Sequence, residues 1–155
     1  MAPDCLVCRE LAGDLATPGG LLWNDGLAAA FHVPPLADRG DPYLGHLLVV
    51  TRRHAAGLAD LSDDEGASVG RGAALLSRAL VAIGGATWVH AGVVGTYVPH
   101  FHLHLVPRYP DTPEDVAWHE VDEWEGARHG NAEEIAELVG RLGTDQLPKE
   151  SQHAP

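Results

Sequence analysis

The chain has 155 residues, a net charge of −12 and an apolar fraction of 45%. That length accommodates one domain with a sizeable core. The acidic balance argues against a nucleic-acid surface and against an anionic membrane, which need clustered Lys and Arg, but not against a small phosphorylated ligand held at a local site.

Two cysteines are too few for a disulfide framework. No basic region followed by an apolar run opens the chain, and no apolar stretch would span a bilayer. A cytoplasmic location is therefore expected.

Cys5-Leu6-Val7-Cys8 comes first. A CxxC pair presents two thiols at one turn, which is half of a tetrahedral zinc site. A chance pair or a single disulfide are the alternatives, and a redox motif would need a βαβ context that does not precede it. If zinc binds, the missing ligands must be histidines, because there is no other cysteine.

Thr17-Pro18-Gly19-Gly20 marks a turn. Leu21 to Trp23 reads as a strand, Asn24-Asp25-Gly26 as a hairpin turn, and Leu27 to Val33 as the returning strand. The three alanines at 28–30 count against that strand, since Ala is depleted in sheets. Pro34 to Tyr43 is a loop, and Gly45 to Thr51 a buried strand that ends in Arg52-Arg53-His54.

Ser62-Asp63-Asp64-Glu65 is a capping box, and its acidic turn suits the helix dipole. A stripe of Val69, Ala73, Leu76, Ala79, Leu80 and Ile83 predicts a helix over about residues 62–83, stopped by Gly84-Gly85. Ala86 to Val94 reads as a strand, and Gly95 to Pro99 as a short connection.

The stretch from Pro99 to Arg108 alternates His100, His102 and His104 with Phe101, Leu103 and Leu105. As a strand it puts the histidines on one face, roughly 6.6 Å apart, and the apolar residues on the other. A helix would scatter them around its axis.

Beyond Tyr109, Pro110-Asp111-Thr112-Pro113 breaks the sheet, and residues 114–130 have no clean period. Asn131 with Glu134 caps a short helix carrying Ile135, Leu138, Val139 and Leu142. Residues 143–155 read as a flexible tail. The order of elements predicts an α+β fold with an antiparallel sheet, one long helix and a short C-terminal helix.

A neutral imidazole can attack phosphorus, and its ordinary pKa leaves much of it neutral at pH 7. A second imidazole two residues on can bind a phosphate oxygen or protonate the leaving group. Backbone amides of a preceding glycine-containing loop can cradle oxyanions. These are the parts of phosphoryl or nucleotidyl transfer. A metal-binding strand or a charged solvent face is the alternative.

His100-Phe101-His102-Leu103-His104-Leu105-Val106 resembles the HφHφHφφ signature of the histidine triad family, where φ is apolar. Cys5 to Cys8, Trp23 to Phe31, and Gly45 to His54 are similar to that family's opening CxxC, its first hairpin and its "GHxLVxPKxH" strand. The resemblance covers about residues 5–108, and the region after 110 is only loosely similar.

The resemblance implies an antiparallel sheet with a long helix, paired into a homodimer. It implies hydrolysis or transfer at the α-phosphate of a small nucleotide, with His102 as the nucleophile that carries a nucleotidyl group. His104 would contact the phosphate and assist the leaving group. The implied substrate-binding residues are Phe31, Leu48, Thr96, Tyr97, Val98 and His104, with backbone near Val98 on phosphate oxygens. Cys5, Cys8, His54 and His100 match the positions of a structural zinc. The implied catalytic domain is 1–142, with a core of 5–108 and an extension of 109–142. A zinc-stabilised nucleotide-binding protein without turnover, and a transferase or phosphorylase with a non-water acceptor, are the alternatives.

Two departures bear on the substrate. Val33 stands where the family often has an Asp for the ribose, and Asp38 or Asp41 could substitute. Thr96-Tyr97 stands where a phosphate-binding Gln-Ser/Thr pair often sits. His46 reads as a structural hydrogen-bonding residue, and Arg52 and Arg53 as surface charge. Trp118, His119, Trp124 and His129 read as a lid, as cover for a dimer partner's cleft or as plain packing. His90 has no assignment.

Overall fold

A computed structural model describes residue 2 and residues 4–35, 40–95 and 97–143. Helix α1 spans Leu6–Ala12, strand β1 Trp23–Asn24, β2 Ala28–His32 and β3 Leu47–Thr51. The long helix α2 spans Asp63–Ala82, followed by β4 Trp88–Gly92, β5 His102–Arg108 and helix α3 Ala132–Leu142. Short 3₁₀ turns lie at Leu58–Asp60 and Trp118–Glu120. The five strands form one antiparallel sheet in the order β1-β2-β3-β5-β4. The α+β class with one long helix and a short C-terminal one is what the chain adopts. No described helix is long and apolar enough to cross a membrane.

The inner strands β2 and β3 are buried on both faces. Ala28, Ala30, Leu47, Val49 and Leu105 meet Val69, Leu76, Ala79 and Leu80 of α2 on one side. Ala29, Phe31, Leu48 and Val50 meet Cys5, Val7 and Cys8 on the other. This explains the alanines. Every residue of β2 is buried, its alanines packed between the α2 layer on one side and the layer of Cys5, Val7 and Cys8 on the other. Packing has overridden propensity here, as it often does in strands.

The hairpin turn is built by Asp25, whose carboxylate accepts the Leu27 and Ala28 amides and the Ser68 hydroxyl. Partial burial would raise this carboxyl, but those bonds and Arg71 hold it at about 2. The capping box of α2 forms as its sequence predicts, with Ser62 and Glu65 each receiving the other's amide. The Arg53 guanidinium meets Glu65 in two bonds, ties the end of β3 to the start of α2, and lowers the Glu65 carboxyl to about 2. The Asn131–Glu134 box caps α3 in the same way.

Three expectations are corrected. Helix α1 was not foreseen, and it makes Cys5 an N-cap and puts Cys8 in the first turn. Strand β1 is shorter than Leu21–Trp23 implied, although the Leu22 amide still reaches the Ala30 carbonyl. His100 is not in the strand. The last β3 partner is Val50 opposite His102. The Phe101 amide goes to Ala55 instead, so the chain bends before β5 starts. The tail expected at 143–155 lies, apart from Gly143, outside the described residues.

Candidate functional site

The register of β5 decides where the histidines go. His104 pairs with Leu48 on one side and Gly92 on the other, and His102 pairs with Val50. Paired residues share a face, so His102 and His104 stand on the side that carries α1. Their rings lie 5.0 Å apart at 73°. Gly92 opposite His104 offers no side chain to cover it.

The His102 Nδ1–H donates to the His100 carbonyl at 2.7 Å. A carbonyl only accepts, so the proton of neutral His102 is on Nδ1 and the lone pair on Nε2. His104 Nδ1 lies 2.9 Å from His46 Nε2. Burial, then the nearby His104 and His32, lower His46 to about 3. Burial and His102 lower His104 as well. Both rings of this pair are therefore neutral at pH 7, and the bond needs one proton between them. His32, behind His46, is fully satisfied: its Nδ1–H donates to the Val33 carbonyl and its Nε2 accepts the Gly45 amide.

His100 turns away from this pair. Its Nε2–H donates to the Thr51 carbonyl at 2.7 Å, leaving the Nδ1 lone pair toward both cysteines. Cys5 Sγ and Cys8 Sγ are each 3.5 Å from that Nδ1, and Cys8 Sγ is 3.5 Å from His54 Nδ1. The four ligand atoms all lie within 4.8 Å of one another. Typical Zn–S and Zn–N lengths at tetrahedral angles require S to N separations of about 3.5 Å. The Cys₂His₂ group is thus placed for a metal, and the Thr51 carbonyl fixes the tautomer that a ligand needs. Burial raises the Cys5 thiol, so without a cation it stays protonated.

A cleft opens over this face in three adjoining lobes of about 320, 220 and 180 Å³ that share His46. The largest runs between α1 and the sheet, with Leu6, Val7, Glu10, Val33, Leu48 and Val98 on its walls and His102 and His104 at one end. Asp41, Asp122 and His129 line the second. Trp118, His119 and Asp122 line the third, beside His104 and Gly92.

Of the residues expected to bind substrate, Leu48, Tyr97, Val98 and His104 line the largest lobe. Phe31 is fully buried in β2 and lies behind that wall rather than on it. Thr96 lies outside the described residues, as does Asp38, whereas Asp41 reaches the cleft. His46 is structural in the sense expected, but its bond to His104 also makes it part of the site. His90 lies on the same face, against Trp118 at 5.9 Å.

Sequence reasoning missed Glu10, because no helix was foreseen at 6–12 and the Leu6/Glu10 spacing went unread. It also left open what Trp118 and His119 do. Arg108 donates to the Val116 and Pro113 carbonyls, which holds that segment to the end of β5 and over the cleft.

The chain was compared with known proteins. A Zn-bound histidine triad family protein from Mycobacterium smegmatis superposes with a TM-score of 0.68 at 22% identity, covering 92% of this chain and 94% of that one. At that identity the likeness speaks for the fold alone. An uncharacterised HIT-like protein of Methanocaldococcus jannaschii is 29% identical over 76% of this chain and 88% of its own length. The adenosine 5'-monophosphoramidase hnt1 of Schizosaccharomyces pombe is 26% identical over 72% of this chain and 90% of its own. The family model of the HIT domain matches residues 25–111, more than half of the chain, and takes in β2 to β5 with His46, His102 and His104. This chain belongs to the HIT domain family.

Proposed function

We propose that the protein hydrolyses a nucleotide at its α-phosphate, or transfers the nucleotidyl group, through a covalent intermediate on His102. The observation that carries this reading is the His102 Nδ1–H bond to the His100 carbonyl, which leaves Nε2 as a lone pair at the end of the cleft. The phosphoramidase relative supports the substrate class.

In the first step His102 Nε2 forms a bond to the α-phosphorus. The bond to the leaving group breaks, and that group departs with its electron pair, held by a hydrogen bond from His104 Nε2–H, and takes its proton from water. His46 keeps its proton on Nε2 and donates to His104 Nδ1, which puts the His104 proton on the nitrogen that faces the phosphate. In the second step water attacks the same phosphorus, the bond to His102 Nε2 breaks, and the proton of the attacking water passes to bulk water. The nucleoside monophosphate leaves, and neutral His102 returns. An acceptor other than water would make the same site a transferase.

Cys5, Cys8, His54 and His100 would hold a zinc, which with four protein ligands is closed and structural. His100 then links the two functions, since its ring is a ligand and its carbonyl holds His102. The ribose would meet Asp41 or Asp122 in the second lobe, in place of an acid at Val33. The extension from 109 belongs to the catalytic domain on this reading, because it contributes Trp118 and Asp122 to the cleft.

The test is a panel of nucleoside phosphoramidates, dinucleoside polyphosphates, ADP and nucleotide sugars, with products and protein adducts read by mass spectrometry. Release of a nucleoside monophosphate with a nucleotidyl group on His102 is expected. His102→Asn should lose turnover by about a thousandfold or more while binding nucleotide. Full activity in that variant removes His102 from this role. A silent panel with retained nucleotide binding replaces the enzyme by a binding protein.

A further inference from the structure

Among the described residues, Glu10 is the one carboxyl on the walls of the largest lobe. It sits on α1 one turn after Leu6, is only 5% exposed, and faces a cleft wall that is otherwise mostly apolar. Among the described residues nothing donates a hydrogen bond to its carboxyl, and burial raises its pKa to about 7, so the carboxylate is the prevailing form above that pH. A side chain this buried normally finds a partner in the protein.

Its neighbours do not explain it. Val7 and Cys8 on the same helix pack into the cluster against the sheet, where an apolar residue would serve at position 10 too. A carboxylate in such surroundings is costly unless donors reach it. The described residues offer none, while the lobe leaves room for a ligand that does. The best complement to a carboxylate is a planar group with two parallel N–H donors, because both oxygens are then satisfied at once.

We propose that Glu10 reads the base of the nucleotide and selects guanine. Among the common bases, guanine alone presents adjacent N–H donors, at N1 and N2, on one edge. Adenine offers one donor beside an acceptor, and the acceptor would face a carboxylate oxygen. Leu6, Val33 and Leu48 would meet the faces of the ring. This assignment rests on the nucleotide reading of the cleft and adds the identity of the base to it.

The experiment is calorimetric binding of GMP and AMP at about pH 8, where Glu10 is mostly ionised, to wild type, Glu10→Gln and Glu10→Leu, with hydrolysis of the two nucleoside phosphoramidates followed in parallel. Wild type should bind GMP at least about tenfold more tightly than AMP. Glu10→Gln should reverse the order, since an amide offers adenine both an acceptor and a donor. Glu10→Leu should show no preference and melt no lower than wild type, because it removes an unpartnered buried carboxyl.

Equal affinities in wild type, or a guanine preference that survives in Glu10→Leu, overturn the assignment. Selective GMP binding without hydrolysis of either phosphoramidate leaves Glu10 in this role and removes the enzymatic reading. Failure of the folded wild type to bind either nucleotide overturns both.

Discussion

His46 and His104 share one hydrogen bond, 2.9 Å between Nε2 and Nδ1, at the point where all three lobes of the cleft meet. Two neutral rings can hold such a bond in only one direction at a time. A proton added to His46 would be buried, and would also sit beside His104 and close to His32, which is why its pKa falls to about 3.

A pH dependence follows. An unfolded chain takes up the His46 proton near 6.5, and the folded chain only near 3. Between these values the unfolded state binds more protons, so stability falls as the pH drops through that window. Denaturant titrations across the window should show a weaker dependence in His46→Gln than in wild type. The His46 imidazole signals in NMR should not titrate above about pH 5. As a positioning residue, His46→Ala should lower kcat on the order of tenfold, with part of the loss restored in His46→Gln, whose amide can still donate.

The Cys₂His₂ cluster predicts a metal that matters to stability first. Purified protein should hold one zinc per chain. Cys8→Ser or chelation should cost about 2–5 kcal/mol, read as a fall in melting temperature of roughly 5–15 °C. Protein with no zinc, and no change on chelation, would remove the metal from the account.

Gly45 carries a separate prediction. Its φ is +89°, and a Cβ there would lie 2.6 Å from the Tyr109 hydroxyl and 2.8 Å from Pro107. Its amide also donates to His32 Nε2. Gly45→Ala should destabilise the fold by roughly 2–4 kcal/mol in denaturant titrations. Gly20→Ala is the control. It has the same kind of φ, +77°, with nothing within 4 Å, and should cost about 1 kcal/mol from backbone strain alone.

Strand β4 is an outer strand of the sheet, with Trp88 63% exposed. A free edge of this kind invites a further strand. We expect a second copy to pair there, as the family resemblance implies. Light scattering should give twice the chain mass, and Trp88→Asp with Val93→Asp should give the monomer. A monomeric wild type at micromolar concentration refutes this.

Much of this was legible in the sequence because the signals were periodic. Alternating histidines specify a face, and the capping boxes at Ser62 and Asn131 specify helix starts. Other features depended on tertiary context. The helix at 6–12 is too short for a stripe to show. The alanines of β2 are chosen by the two layers that cover them rather than by strand propensity. His100 leaves the strand because β3 ends at Thr51, which no pattern within 100–108 could reveal. The cleft position of Trp118 follows from Arg108 bonds that link distant segments.

The three alanines of β2 divide between the two layers, Ala28 and Ala30 toward α2 and Ala29 toward α1. Ala29 lies under the layer that α1 forms with Cys5, Val7 and Cys8. The same helix carries one wall of the cleft at Leu6 and Glu10. A larger side chain at residue 29 would have to be taken up within that buried layer. The seat of the cleft wall is therefore tied to a residue that does not itself line the cleft.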